Sequence, residues 1–485
     1  MAPKGVQRGV CGGENGLRRW AARGAFIVLA GVGAGGCGGS ATGPSPSVTP
    51  APTPSPDPPN LVLVLTDDLD VETTNELPRI FDLVAAQGMR FTRAYVSMPV
   101  CGPARASLLT GRFPHNHGVV DNHPPYGGFP AFRRHEDSTI ATWLHAAGYR
   151  TSLVGKYIND YPMDVPPEYI PPGWDDWYGH LSAFEDGRFF NYWVNDNGIV
   201  RRHASTPADY SADVETEHAV RFIRESVGRP EPLFLYLAPE APHVPANYAA
   251  RHGSEFRYSV APRVPSFNES DVRDKPAQVR RRPLLTDAEV DRLDRIQRWR
   301  LRSMRAVEDM VDAVIQALAE TDRLENTYLI FTSDNGLLMG QHRLPHKKRV
   351  VYEESIRIPL MVRGPGVRGT SDEPVMLMDL APTLLELAGV PIPEDVDGRS
   401  LVPLLRGQQV PWRADVLVEI NNTLALRTPD WLYAELATDE LELYDMLADP
   451  YQLESLHKDA DPAFLEQLSE RIQVLLACRG IICRE

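Results

Sequence analysis

Two pairs of hard oxygen donors close apolar runs: Asp67 and Asp68 end "NLVLVLTDD" (Asn60 to Asp68), and Asp334 and Asn335 lie near the end of "TYLIFTSDNG" (Thr327 to Gly336). Either pair alone suits a turn after a strand, where Asp and Asn are favoured. Together they offer three carboxylates and an amide, with no Cys or His cluster at zinc spacing, so the cation they fit is Ca2+ or Mg2+. Three bases lie in comparable places: Lys156 ends "TSLVGK", His243 follows the run "PLFLYLAPEAPH", and Lys348 lies in "HKKRVVYEE", where Lys347 beside it leaves the register open. Cys101 opens a different kind of segment, "VCGPARASLLTGR". Pro103 suits the first turn of a helix, which puts Cys101 just before the N-terminus, a place with free backbone N–H groups and a positive dipole end. Arg105, one turn in, can turn back toward the same point. A thiol there is expected to have a lowered pKa, as an ordinary thiolate nucleophile has, yet an exposed thiolate is easily oxidised outside the cell.

The elements that must position these groups are legible as five short apolar runs: Asn60 to Asp68, Thr151 to Lys156, Pro232 to His243, Thr327 to Gly336 and Ile358 to Gly366. Continuous runs bounded by turn residues suit strands buried on both faces, the pattern of a mainly parallel sheet covered by helices. In such sheets ligands gather at the carboxyl ends of the strands, where the acids, Lys156 and His243 stand. Thr286 with Glu289 is a capping box. It opens a helix whose Met304, Val307, Val311, Val314, Ile315 and Leu318 form one apolar face. Asn75 to Gly88 and Thr139 to Gly148 read as shorter helices, each ended by glycine. From about Arg413 the pattern alternates as in strands and then becomes amphipathic. It predicts a small antiparallel sheet plus a helix.

The chain has 485 residues, 43% hydrophobic and 24% charged, with a formal net charge of −15. It can bury a large core. Its sign argues against a nucleic-acid partner, although a few Lys and Arg in one cleft can still hold a small anion. The first residues read as an export leader: Lys4, Arg8, Arg18, Arg19 and Arg23 precede "AFIVLAGVGAGG", too short to span a bilayer. Cys37 follows small residues, as at a lipoprotein processing site, with an ordinary cleaved signal as the other reading; Arg18-Arg19 also suits twin-arginine export. "GPSPSVTPAPTPSPDPP" is a Pro-rich tether. The expected divisions are 1–37 leader, 38–59 tether, 60–412 α/β domain and 413–485 α+β subdomain. Cys478 and Cys483 can close a small disulfide, which leaves Cys101 without a partner in the body of the chain.

Cys101, Pro103, Arg105 and the following Leu108, Leu109, Thr110, Gly111 and Arg112 resemble the signature of the type I sulfatases of the alkaline phosphatase superfamily. The likeness continues through "LVLTDD", "LVGKY", "APHVP", "TSDNG", "KRVVYEE" and "LYDMLADPYQLESL", from Asn60 to the end. Ala104 replaces the usual serine. The resemblance implies an alkaline phosphatase-like α/β fold and oxidation of Cys101 to Cα-formylglycine by a formylglycine-generating enzyme. It implies Ca2+, with Mg2+ as the alternative, on Asp67, Asp68, Asp334, Asn335 and residue 101. It assigns to one hydroxyl of the hydrated aldehyde the attack on sulfur, favoured by Arg105, and to the other the expulsion of sulfate. His243 would protonate the leaving oxygen, while Lys156 and Lys348 would hold the sulfate.

A histidine common in this family after the "GK" lysine is replaced here by Ile158, followed by Asn159. "GKY", "PPGWDDWYG", "FFNYWVNDNG" and "FTSDNGLLMGQHRLPHKKRVVYEE" are similar to glucosamine-6-sulfatases and extracellular heparan sulfatases, which implies a sulfated carbohydrate in preference to an aryl sulfate. Two other functions remain open on the sequence: a phosphodiesterase or phosphonate monoester hydrolase of the same superfamily, and an exported sugar-binding lipoprotein without catalysis. His115, His117 and the Arg280 to Arg282 run read as structural or solvated, and the aromatic residues from Trp174 to Trp193 mostly as packing. His342 and His346 have no assigned use.

Overall fold

The computed structural model describes residues 58–184, 187–420 and 423–484. The leader, Cys37 and most of the tether lie outside the described residues. In chain order the main sheet takes β1 (Asn60–Thr66), β2 (Gly88–Tyr95), β3 (Arg150–Gly155), β4 (Asp176–His180), β5 (Trp193–Asp196), β6 (Ile199–Arg202), β7 (Leu233–Ala238) and β8 (Thr327–Ser333). A two-stranded ribbon, β9 (Leu338–Met339) and β10 (Pro345–Lys347), follows, and β11 (Arg357–Arg363), β12 (Gly369–Ser371) and β13 (Val375–Met376) rejoin the main sheet. Its order is β12-β2-β11-β8-β1-β7-β3-β4-β5-β6, with β13 also on β2.

Strands β8, β1, β7, β3 and β4 are mutually parallel. Along β1 the side chains alternate between two cores: Leu61, Leu63 and Leu65 face one, Val62 and Val64 the other. The first core also takes Ala104 and Leu108 of the helix Cys101–Thr110, and Leu380 and Leu384. The second takes Phe222 of the helix Ser211–Arg224 and the apolar stripe of the helix Asp287–Glu320. Burial on both faces explains the unbroken apolar runs. Emptying one such position, Leu63→Ala, would cost about 2–5 kcal/mol.

All five apolar runs are strands of this sheet, but the last differs in direction. β11 lies antiparallel to both β8 and β2, because the segment from Asp334 to Ile356 leaves and re-enters the sheet at the same end. Its Gly364–Gly366 exit therefore lies at the end of the strands opposite the acids. The expected single helix over Asn75 to Gly88 is broken into Val71–Asn75, Pro78–Leu83 and a short turn Ala85–Gln87. Pro78 brings no N–H to continue the first piece. Gly88 starts β2 in place of capping a helix, and a Cβ there would meet Val362 O at 2.0 Å. The Thr286 capping box is present, Thr286 N donating to the Glu289 carboxylate at 2.8 Å, and it opens a helix that runs to Glu320.

The C-terminal sheet is antiparallel: β14 (Val416–Ile420), β15 (Thr423–Arg427), β16 (Trp431–Leu436) and β17 (Leu441–Asp445). With the helix Pro462–Ala477 it shares one core with Tyr95, Phe113 and Val350 to Tyr352 of the main body. Cys478 and Cys483 form the expected disulfide. Trp177, Tyr178, Phe189 and Tyr192 are buried where β4 to β6 extend the sheet edge, so most of the aromatic cluster is packing. Among the described residues no helix is long and apolar enough to cross a membrane.

Candidate active site

Parallel pairing of β1 with β8 sets Thr66 opposite Ser333. The two acid pairs that follow these strands must therefore meet. Asp334 N donates to Thr66 O at 3.1 Å, Asp68 N to Asp334 Oδ1 at 3.2 Å, and Asn335 Nδ2 to Asp68 Oδ1 at 2.6 Å. Asp68 holds φ at 66°, a left-handed backbone that Asp tolerates better than most residues. The helix Cys101–Thr110 starts over this point. Cys101 is its first residue, and its Sγ lies 3.4 Å from Asp67 Oδ1 and 2.8 Å from Lys348 Nζ. Ligand atoms of Asp67, Asp68, Cys101 and His243 all fall within 4.8 Å of one another, a group able to hold a metal ion.

The cations enter from separate elements. Lys156 follows β3 and pairs with Asp67; Lys348 follows β10 and pairs with Asp68. This resolves the register left open by the sequence, since it is Lys348 and not Lys347 that reaches Cys101. His243 sits in the turn after β7. Its Nδ1 donates to Val244 O at 2.6 Å, which leaves Nε2, 3.6 Å from Asp68 Oδ2, facing the site. Arg105 is wholly buried. Its Nε donates to Asp334 Oδ2 at 2.9 Å and its Nη1 to Lys156 O at 2.8 Å. It braces the acids, and its Nη2, 3.7 Å from Asp67 Oδ2, has no hydrogen-bond partner beside the carboxylate that contacts Cys101.

Burial alone would push the Asp67 carboxyl up, yet the charges of Lys156, His243, Arg105 and Lys348 hold it well below its ordinary value. Asp68 is likewise lowered despite its burial, chiefly by Lys348 and His243. Asp334 is raised, by burial and by Asp67. The Cys101 thiol is pushed up to about 12 by burial and the Asp67 charge, which outweigh Lys156 and Lys348. The expectation of a lowered thiol pKa therefore fails: the group is buried among carboxylates. The helix start is also a poorer anion site than expected. Gly102 N donates to Asn122 Oδ1 at 2.8 Å, Pro103 has no N–H, and Ala104 N is taken by Val100 O at 2.9 Å.

Several residues near the site escaped the sequence reading. Asn122 fixes the first turn of the Cys101 helix. Glu240, inside "APEAPH", accepts from Arg188, and its carbonyl accepts His243 N at 2.9 Å. Behind it His180 lies between Glu240 and Glu215, at 3.4 and 3.0 Å. Arg188 and His180 have no spacing signature; Glu240 could have been suspected from its strand-end position. Ile158 is wholly buried in the core and supplies no side-chain donor in place of the missing histidine. His115 bonds Glu419 and Cys478 O, and buried His117 bonds Ser107, so both are structural; Arg280 to Arg282 are exposed.

The family model for sulfatases matches residues 59–390, and the model for the C-terminal part of N-sulphoglucosamine sulphohydrolase matches 340–477. Human N-acetylglucosamine-6-sulfatase is 34% identical over 88% of this chain and 86% of its own length. A structure solved in complex with D-glucosamine-2-N,6-O-disulfate superposes with a TM-score of 0.72, at 23% identity, over 86% of this chain and 97% of that one. A phosphonate monoester hydrolase from Silicibacter pomeroyi superposes with 0.69, at 22% identity, over 86% and 94%. At such identities the superpositions show a shared fold and do not separate sulfate from phosphonate chemistry. The sequence matches do separate them: the chain belongs to the sulfatase family, on its N-acetylglucosamine-6-sulfatase-like side, and is a sulfuric ester hydrolase.

Proposed function

We propose that the protein hydrolyses the sulfate monoester of a sulfated glucosamine-type sugar, with residue 101 matured from Cys to Cα-formylglycine and with Ca2+ at the acid cluster. The observation that carries this reading is the convergence of Cys101 with Asp67, Asp68, Lys156, His243 and Lys348 at the carboxyl ends of parallel strands. The donor set fits a hard cation. Three carboxylates gather there, and the buried Asn335 Oδ1 has no hydrogen-bond partner, an acceptor suited to a metal ion. Asp67, Asp68, Asp334, Asn335 and residue 101 would hold it. Together the hydrated aldehyde and the cation would supply a nucleophilic oxygen, a second hydroxyl whose loss of a proton re-forms the aldehyde as sulfate leaves with the first oxygen, and charge to offset the sulfate oxygens.

The chain's own groups do the rest. Lys156 and Lys348, both kept charged by the neighbouring acids, orient the sulfate oxygens and counter charge that builds on them. His243 presents Nε2 to the site with its other nitrogen fixed by Val244 O, as a general acid for the leaving oxygen requires. Arg105 holds Asp334 and the Lys156 backbone in place. The buried thiol, with its raised pKa, is poorly suited to act as a thiolate, which favours Cys101 as a precursor. Maturation would need a formylglycine-generating enzyme. Export of the chain, lipid attachment at Cys37 and the division near residue 412 belong to the same reading.

Peptide mass spectrometry across residue 101 of the exported protein tests it. Loss of the thiol mass in favour of the aldehyde is expected, together with sulfate release from glucosamine-6-sulfate above any hydrolysis of a phosphodiester. A fully intact thiol in active protein would sink the mechanism, and faster phosphodiester turnover would sink the substrate.

A further inference from the structure

The long helix Asp287–Glu320 carries a feature that its packing role does not use. Arg292, Arg295 and Trp299 lie on one face of it and line a cleft of about 490 Å3 whose other side is Val244, Pro245 and His346. Both arginines are exposed and take part in no ion pair among the described residues, whereas Arg300 on the same helix is buried against Asp70. Trp299 is 38% exposed. The buried Nε2 of His346 has no hydrogen-bond partner. The cleft adjoins the candidate active site on both sides: Val244 follows His243 and fixes its ring, and His346 precedes Lys348 by two residues.

Two unpaired guanidiniums beside an indole face, in a chain of net charge −15, form a local reversal of sign. Guanidinium forks suit sulfate and carboxylate groups. An aromatic face suits the apolar side of a pyranose ring. We propose that this cleft binds an anionic sugar adjacent to the one being desulfated, so that the enzyme engages a sulfated oligosaccharide across at least two residues. The proposal rests on the sulfated-sugar reading above and extends it to the length of the substrate.

The test uses the full chain and a defined tetrasaccharide of alternating sulfated glucosamine and uronic acid. In a Cys101→Ala background, calorimetry should show the tetrasaccharide binding more tightly than glucosamine-6-sulfate. The double variant Arg292→Ala/Arg295→Ala should weaken the tetrasaccharide about tenfold or more and the monosaccharide by less than about twofold. Trp299→Ala should act in the same direction, and Arg292→Lys/Arg295→Lys should recover part of the loss. In matured protein the double variant should raise KM for the tetrasaccharide and leave kcat/KM for an aryl sulfate unchanged. Tetrasaccharide affinity equal to that of the monosaccharide, or unaltered by the double variant, overturns the cleft even if sulfate is released from the monosaccharide. Arginine-dependent tetrasaccharide binding without sulfate release from any sugar would uphold the cleft and sink the hydrolytic reading.

Discussion

His180 offers a sharp electrostatic test because it is buried between two carboxylates, Glu215 at 3.0 Å and Glu240 at 3.4 Å. Burial works against its charge, but the carboxylates of Glu215 and Glu240 on either side of the ring prevail and raise its pKa from 6.5 to about 9. The two acids respond differently. Glu240 is held below its ordinary value, against its burial, by Arg188 and His180, while Glu215, which among the described residues pairs with His180 alone, is raised by burial. A folded pKa above the unfolded one stabilises the fold fully below about pH 6.5, and the stabilisation is lost as pH rises through about 9. The difference corresponds to about 3 kcal/mol at pH 6, about 2 at pH 7.5 and under about 0.5 at pH 9. Other groups titrate over this range, so the measured quantity is the difference in urea unfolding free energy between wild type and His180→Gln at those three pH values. That difference should shrink by about 2–3 kcal/mol from pH 6 to pH 9. A pH-independent difference would refute the assignment of a charged imidazole between the two acids. Because the Glu240 carbonyl holds His243 N, the same alkaline loss should loosen the turn that carries His243, the proposed general acid.

Three further outcomes follow from named contacts. Lys348→Ala should lower kcat/KM by about 100-fold or more, while Lys347→Ala, which removes no contact to Cys101, should change aryl sulfate turnover less than about threefold; equal effects would contradict the register. Chelation should leave near-UV circular dichroism native and lower Tm, and re-adding Ca2+ at about 100 times its Kd should restore about 2.7 kcal/mol; a Tm indifferent to Ca2+ would remove the ion from the acid cluster. Replacing Cys478 and Cys483 together by Ser should cost about 2 kcal/mol or less, as expected for so short a loop, with sulfate release retained; loss of activity would show that His115 and Asn116, which bond Cys478 O, transmit that end of the chain to the site.

The positions of the acids were legible because double-sided burial writes strands as unbroken apolar runs, and the residues just after them fall at one end of a parallel sheet. Direction was not legible for β11, since it depends on where the preceding loop returns. β2, "GMRFTRAY", mixes apolar and charged positions beside the short edge strands and gives no continuous run. The Cys101 pKa was misjudged for a related reason. Sequence shows a helix start, and it does not show that carboxylates and a closed core surround it. The Arg188–Glu240–His180 chain joins residues 52 and 60 positions apart, a separation with no periodic signal. The face of Arg292, Arg295 and Trp299 was present in the helical spacing but hidden by the stronger apolar stripe on the other side.

The charge arrangement at the site explains how so many ionised groups can be buried together. Asp67, Asp68 and Asp334 bring three negative charges, and Lys156, Lys348 and Arg105 bring three positive ones through direct pairs. An unpaired charge at such depth would cost several kcal/mol, whereas a paired set does not force the site open. The chain can therefore close before a cation is bound, which is why chelation is expected to lower Tm without unfolding the protein. The two lysines are not equivalent in this balance. Lys156 is 1% exposed and Lys348 17%, so Lys348 can more readily exchange its carboxylate partner for another anion. If Asp68 is committed to a cation, the lysine beside Cys101 is left with a positive charge and a solvent-facing side. In that arrangement a divalent cation on the acids would free Lys348 for a sulfate group.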